Sequence, residues 1–247
     1  MTIDPYFANR RTVRTFKKTD IPDSDIRRML EAASHAPTTG NMQLYSVVVT
    51  RGGERRQLLD KAHFCQPASV NAPVLLTFCA DFNRFVHWCE ISDAKPGFDN
   101  LQSLVSAMLD TTILAQQFVT IAEQNGYGTC YLGTTTYNIG DIAKALELPR
   151  RVVPVTTIAL GIPEGDSPAS RRLPAEAFIH NDSYHDYTDE EIRSYYSATD
   201  NDPANRVFIE ENNKQTLAQV FTDVRYPRQN NETFSEILRE YLRTAGY

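Results

Sequence analysis

Several features are missing from this chain of 247 residues, and each absence narrows what it can be. No apolar run reaches the roughly 18 residues that a membrane-spanning helix needs, so no span is expected. The opening residues, Met1-Thr2-Ile3-Asp4-Pro5, have neither a basic start nor an apolar stretch. That is not a signal peptide, and the expected compartment is the cytoplasm. Positive charge is in deficit: 25 Lys and Arg against 31 Asp and Glu give a net charge of −6. Bulk attraction to nucleic acid is therefore not expected. Cysteine is sparse, at Cys65, Cys79, Cys89 and Cys130, and without a secretion signal free thiols are expected. There is no internal repeat, no G-x-S-x-G, no P-loop and no telling pair of carboxylates. With 41% hydrophobic and 23% charged residues, the composition is that of a globular protein, not a disordered chain or a rod.

What is present is an orderly alternation of helix and strand patterns over about residues 20–160. Ile26, Met29, Leu30 and Ala33 recur at helical spacing after start signals at Pro22, Asp23 and Ser24. Residues 45–50 are β-branched and read as a strand. Residues 73–80 form a continuous apolar run, as in a strand buried on both faces, with Cys79 in the core. Residues 101–125 read as a long helix whose apolar residues cover more than one face, stopped by Gly126. Short strands at 129–132 and 152–160 flank a helix at 139–146. Beyond a polar loop at 164–187, helical patterns follow at 188–197, 206–222 and 231–245. The expected division is a core over 1–163 and a helical tail over 164–247 that cannot fold alone.

Five clusters could carry chemistry. Arg10, Arg11, Thr12 and Arg14 place three guanidinium forks and a hydroxyl close together, suited to a small anion in an acidic protein. The same cluster also reads as a solvated basic arm. Pro37, Thr38, Thr39, Gly40, Asn41 and Gln43 form a turn dense in donors and acceptors, which suits a planar heterocycle or simply makes a polar loop. Gly126 to Thr134 is rich in glycine but lacks the third glycine of a dinucleotide fingerprint and follows a helix. His63 with Cys65, and His87 with Cys89, offer a weakly spaced metal set. Ser170-Arg171-Arg172 is a basic patch in an acidic loop.

The order of these pieces is more specific than any one of them. An R-x-[ST]-x-R-x-F start, an A-P-[ST]-[ST]-x-N-x-Q turn, a long helix ending G-x-G, a Tyr131-Leu132-Gly133 segment and a strand ending L-G-x-P together resemble the FMN-dependent nitroreductase family over about residues 7–163. Cys79 to Arg84, Arg172 to Ala175 and His180 to Tyr184 resemble its oxygen-insensitive nitroreductase and flavin reductase branch. The resemblance implies an α+β three-layer sandwich with a mostly antiparallel central sheet. It implies an intertwined homodimer with FMN shared between subunits. It also implies transfer of electrons from NAD(P)H, in two half-reactions, to nitroaromatics, quinones or flavins.

Carried over by position, Arg10, Arg11, Thr12 and Arg14 match phosphate and ribityl ligands. Pro37, Thr38, Thr39 and Asn41 match a turn given to the other subunit's cofactor, and Gln66 matches a glutamine that reaches the flavin. Tyr131, Leu132, Gly133 and Thr134 match the segment along the ring, and Arg172 a second phosphate ligand. Arg171 stands where the branch's lysine contact is lost, and Arg206 alone, beside Asp200 and Asp202, answers to the branch's basic loop for the NADPH 2′-phosphate. No catalytic acid or base is expected, because the flavin carries the chemistry. Two other readings are a flavin-binding sensor without turnover and a metal-binding structural protein built on His63, Cys65, His87 and Cys89.

Overall fold

The structure, a computed structural model, describes residues 5–247. Residues 5–168 and 234–247 form one compact unit, and residues 169–233 a second. The division therefore differs from the expected 163/164 boundary. The last stretch of the chain carries apolar residues that the core needs, so it belongs to the first unit.

The first unit opens with α1 (Pro5–Asn9) and α2 (Asp23–Ala33), then β1 (Tyr45–Thr50), α3 (Gly53–Ala62), α4 (Pro67–Asn71), β2 (Val74–Asp81) and α5 (Asn83–Ile91). It continues through α6 (Leu101–Gln124), β3 (Gly128–Leu132), α7 (Ile139–Ala145) and β4 (Val152–Gly161). The four strands form one sheet in the order β1-β2-β4-β3, antiparallel at every pairing. Every residue of β2 is buried, as its unbroken apolar run requires of a central strand.

The strand alternation divides the core in two. Val74, Leu76 and Phe78 face one way, with Ile158 and Leu160 of β4, and pack against Ile26 and Met29 of α2 and Leu114 and Phe118 of α6. Leu75 and Ala159 face the other way, packing with Val13, Phe16, Leu59 of α3, Leu132 and Ile142 of α7. Helices thus cover both faces, and each fully buried Leu, Ile or Phe contributes about 1.5–3 kcal/mol. A third cluster joins Leu44, Phe82, Val86, Leu104 and Val153 to Ala245, with Leu238 and Leu242 against it. This is the α+β sandwich that the resemblance implied.

The second unit contains α8 (Asp189–Asp200), α9 (Pro203–Glu211) and α10 (Leu217–Val220), and the chain returns to the core along α11 (Arg228–Ala245). The helix expected over 206–222 is broken in two. Asn213 takes a left-handed φ of 53°, a helix stop, and Thr216 with Gln219 makes a capping box that starts the next helix.

Candidate flavin site

The arginine cluster lies on an arm whose backbone is fixed to the sheet. Val13 N–H donates to Thr129 O (3.0 Å), Lys17 N–H to Ile162 O (2.9 Å) and Glu164 N–H to Thr15 O (3.1 Å). Gly128 and Gly161, partners across β3 and β4, make the close approach possible. A Cβ on Gly128 would lie 2.7 Å from Val13, and one on Gly161 would lie 2.6 Å from the Phe16 ring. Glycine is needed here for space rather than for its dihedral freedom.

The arm's arginines are not equivalent. Arg10 pairs with Glu123 at 3.3 Å, and the same carboxylate accepts from Tyr6 Oη at 2.7 Å, which with burial pushes that phenol up to about 12. Arg11 and Arg14 are exposed, and among the described residues neither has a carboxylate partner. The positive charge of Arg14 and Arg10 reaches Cys130 and opposes the rise that burial imposes on its thiol. Thr12 is half-buried beside them.

The 37–43 turn is held by a buried carboxylate. Asp110 of α6, 2% exposed, accepts from Thr39 N–H (2.8 Å), Thr39 Oγ1 (2.9 Å) and Leu44 N–H (3.5 Å). Gly40, Asn41 and Gln43 all take left-handed φ values near 55°, so the turn is tight. Both polar groups of Thr39 are thereby committed to Asp110. Pro37 and Asn41 are exposed, and Thr38 Oγ1 is buried without a partner among the described residues.

Gln66 and Thr134 come together: the Gln66 amide donates to Thr134 Oγ1 at 3.0 Å, and His63 Nδ1 lies 2.8 Å from the same oxygen. Gln66 is fixed at the start of α4, ahead of Pro67, by a turn in which Phe64 and Cys65 are both left-handed. Gly133 opens a one-turn helix, Gly133–Thr136, and a Cβ there would meet nothing within 4 Å, so the backbone is open to a ligand. Tyr131 donates to Gln116 Oε1 (3.3 Å), and burial pushes its phenol up to about 12. Leu132, at 1% exposure, has its side chain in the core, and only its backbone can meet a ligand.

Arg171, Arg172 and Arg206 belong to the second unit. Arg171 Nε lies 3.9 Å from Asp202, Arg172 donates to the Ser170 and Arg171 carbonyls (3.3 and 3.4 Å), and Arg206 donates to Asn201 Oδ1 (2.6 Å). The metal set does not assemble: His63 is bound to Thr134, His87 is exposed on α5, and no group of three His, Cys, Asp or Glu is placed to hold a metal among the described residues.

Sequence reasoning missed Asp110, Glu123 and the link from His63 to Thr134. A signal for the first two was available. Asp110 and Glu123 are the only charged residues of α6, and a charge on a largely buried helix must find partners.

The residues present fit FMN. Two guanidinium groups without a carboxylate partner among the described residues, on a fixed arm, suit a phosphate, and the Thr38 hydroxyl, likewise without a partner among them, the open Gly133 backbone and the Gln66 amide suit a polar planar ring. A sandwich of this topology with such a site is that of a flavoprotein oxidoreductase. The profile of the nitroreductase family matches residues 7–162, and the chain belongs to that family. It is an enzyme that uses FMN and NAD(P)H.

A Bacteroides fragilis protein whose crystal structure carries the general label of oxidoreductase superposes with a TM-score of 0.95 at 50% identity, over 97% of this chain and 98% of that one. A Staphylococcus saprophyticus NADPH-dependent oxidoreductase is 31% identical over 78% of this chain and 82% of its own. A Bacillus subtilis FMN reductase [NAD(P)H] is 28% identical over 97% and 95%.

Proposed function

We propose that the chain forms a homodimer that reduces small electron acceptors (nitroaromatics, quinones or free flavin) with NAD(P)H in two successive half-reactions in the cytoplasm. The observation that supports this reading is the arm on which Arg11 and Arg14 have no carboxylate partner among the described residues, pinned at Thr129 to the strand that leads into Gly133 and Thr134, with Gln66 bonded to Thr134. Thr134 lies five steps along the chain from Thr129, three in β3 and two in the one-turn helix, about 14 Å at the usual rises. A ligand with a phosphate at one end and a ring at the other spans such a distance.

When bound, FMN would supply the redox chemistry, two-electron transfer from NAD(P)H to the acceptor. Arg11 and Arg14 would hold the phosphate, Thr12 the ribityl chain, and the 133–134 backbone the ring. In this reading Arg10 acts through Glu123 to hold the arm. The chain needs to supply position and electrostatics, with no acid or base of its own.

Dimerisation is supported by α6. Leu101 (67% exposed), Val105 (43%), Leu109 (59%) and Ile113 (42%) recur every fourth residue along one face. A continuous apolar stripe of that kind calls for a partner surface. A second copy offers the same stripe and brings its 37–41 turn, with Pro37, Thr38 and Asn41, to the cofactor. The test is the absorption spectrum of the purified dimer. Oxidised-flavin bands that bleach on adding NAD(P)H and return with a quinone are expected. A colourless protein overturns the flavin site, and bands that do not bleach leave a binder without turnover.

A further inference from the structure

His63 has no role in the chemistry above, yet it is fully buried and touches the site. It caps the C-terminus of α3, its backbone N–H donating to Leu59 O at 2.9 Å, and its ring reaches Thr134 Oγ1 at 2.8 Å through Nδ1. Its other nitrogen, Nε2, is buried with no partner among the described residues. Burial keeps the ring neutral, so one nitrogen carries a proton and the other does not.

Thr134 Oγ1 already accepts from the Gln66 amide nitrogen at 3.0 Å. Its own proton needs an acceptor, and His63 Nδ1 is the one within reach. The chain of donors therefore runs one way, from Gln66 Nε2 to the Thr134 hydroxyl to His63 Nδ1, with the imidazole proton on Nε2. With the opposite tautomer Thr134 Oγ1 would accept from His63, and its own proton would either go without an acceptor or turn to the Gln66 carbonyl oxygen with the amide reversed.

We propose that His63 is a positioning residue that sets which end of the Gln66 side-chain amide faces the flavin site, directing the carbonyl oxygen outward. The inference rests on the flavin reading of Gln66. Reduction gives flavin N5 a proton to donate where the oxidised ring offers an acceptor, so an outward oxygen set against that edge would favour the reduced form over the oxidised one.

The experiment has two parts. In the protein freed of FMN, the 15N shifts of His63 report its tautomer. Nδ1 without a proton is expected, and a proton on Nδ1 overturns the proposal whatever the cofactor does. In the holoenzyme, the affinities for oxidised and reduced FMN are compared by equilibrium titration and anaerobic spectroelectrochemistry. His63→Leu removes the acceptor and should lower the reduced-to-oxidised affinity ratio about tenfold, a shift of about 30 mV for a two-electron couple. His63→Asn places an oxygen near the Nδ1 position and should restore the ratio to within about threefold. Thr134→Val, which cuts the chain in the middle, should behave like His63→Leu and serves if that variant does not fold. An unchanged ratio in Thr134→Val, or an Asn variant as impaired as the Leu variant, overturns the proposal. Wild-type protein that takes up no FMN instead overturns the flavin site itself.

Discussion

A neutral imidazole sealed inside α3's end leaves a mark on acid stability. Burial holds His63 down at about 4, against an ordinary value of 6.5, with Arg56 pushing the same way and Asp60 opposing. Above pH 6.5 both folded and unfolded chains carry a neutral ring, and the group has no pH effect. Below it the unfolded chain takes up a proton that the folded chain refuses until about pH 4. Stability is therefore lost across that window, by about 3 kcal/mol at its acid end, at about 1.4 kcal/mol per pH unit. Urea unfolding of wild type and His63→Asn at pH 7, 5.5 and 4.5 checks this: the two should converge as pH falls, and parallel curves would refute it. The arm's arginines separate by a second pair of variants. Arg14→Ala removes a charge-assisted phosphate bond of about 1.5–3 kcal/mol and should weaken FMN roughly 10- to 150-fold with little change in melting temperature. Arg10→Ala leaves Glu123 without its cation, and it should lower the melting temperature. Equal effects of the two substitutions on both measurements would contradict the division of roles.

Among the elements, the glycines of β3 and β4 make opposite predictions from the glycine that follows. Gly161→Ala drives a Cβ to 2.6 Å from Phe16 and 2.8 Å from Pro73, an overpacking worth about 1–3 kcal/mol. It should lower stability and loosen FMN together, because the arm must lift. Gly133→Ala meets open space, so its melting temperature should hold while FMN binding weakens; a loss of stability there would show that the backbone is not open. Most elements were legible from periodicity. The β2 run and the helix over 101–125 are long, strongly patterned and bounded by turn signals, and they appear where expected. The short helices α1, α4 and α5 were not legible. Two have five residues each and the third buries only Val86, so they carry no stripe to read. The site was legible as a list of positions matched to a family, but not as a set of bonds. That Thr39 serves Asp110, and Arg10 serves Glu123, depends on residues 71 and 113 positions away in sequence, which no local pattern encodes.

For the whole molecule, the α6 stripe predicts that Leu109→Glu yields a monomer that also loses FMN, measured by sedimentation with absorbance at a flavin band. A monomer retaining flavin would remove the second subunit from the site. In the second unit, Arg206 follows Asp200 and Asp202 in the chain and is tied to Asn201, while Asp202 faces Arg171. Two carboxylates repel a 2′-phosphate and one exposed arginine adds little through solvent. NADPH should therefore exceed NADH by less than about tenfold in kcat/KM, under about 1.4 kcal/mol. A hundredfold preference in steady-state kinetics at low salt would refute this. The return of residues 234–247 to the first unit has a consequence for synthesis. Tyr241 donates to Val152 O (3.0 Å), Tyr247 to Arg151 O (3.3 Å), and Arg151 N–H to Ala245 O (2.9 Å). A ribosome that has reached residue 233 has made every strand, yet Phe82, Leu104 and Val153 still lack the apolar cover of Leu238, Leu242 and Ala245. The nascent chain passes through a stage in which a finished sheet waits on its lid, and in that interval a chaperone has its natural point of hold.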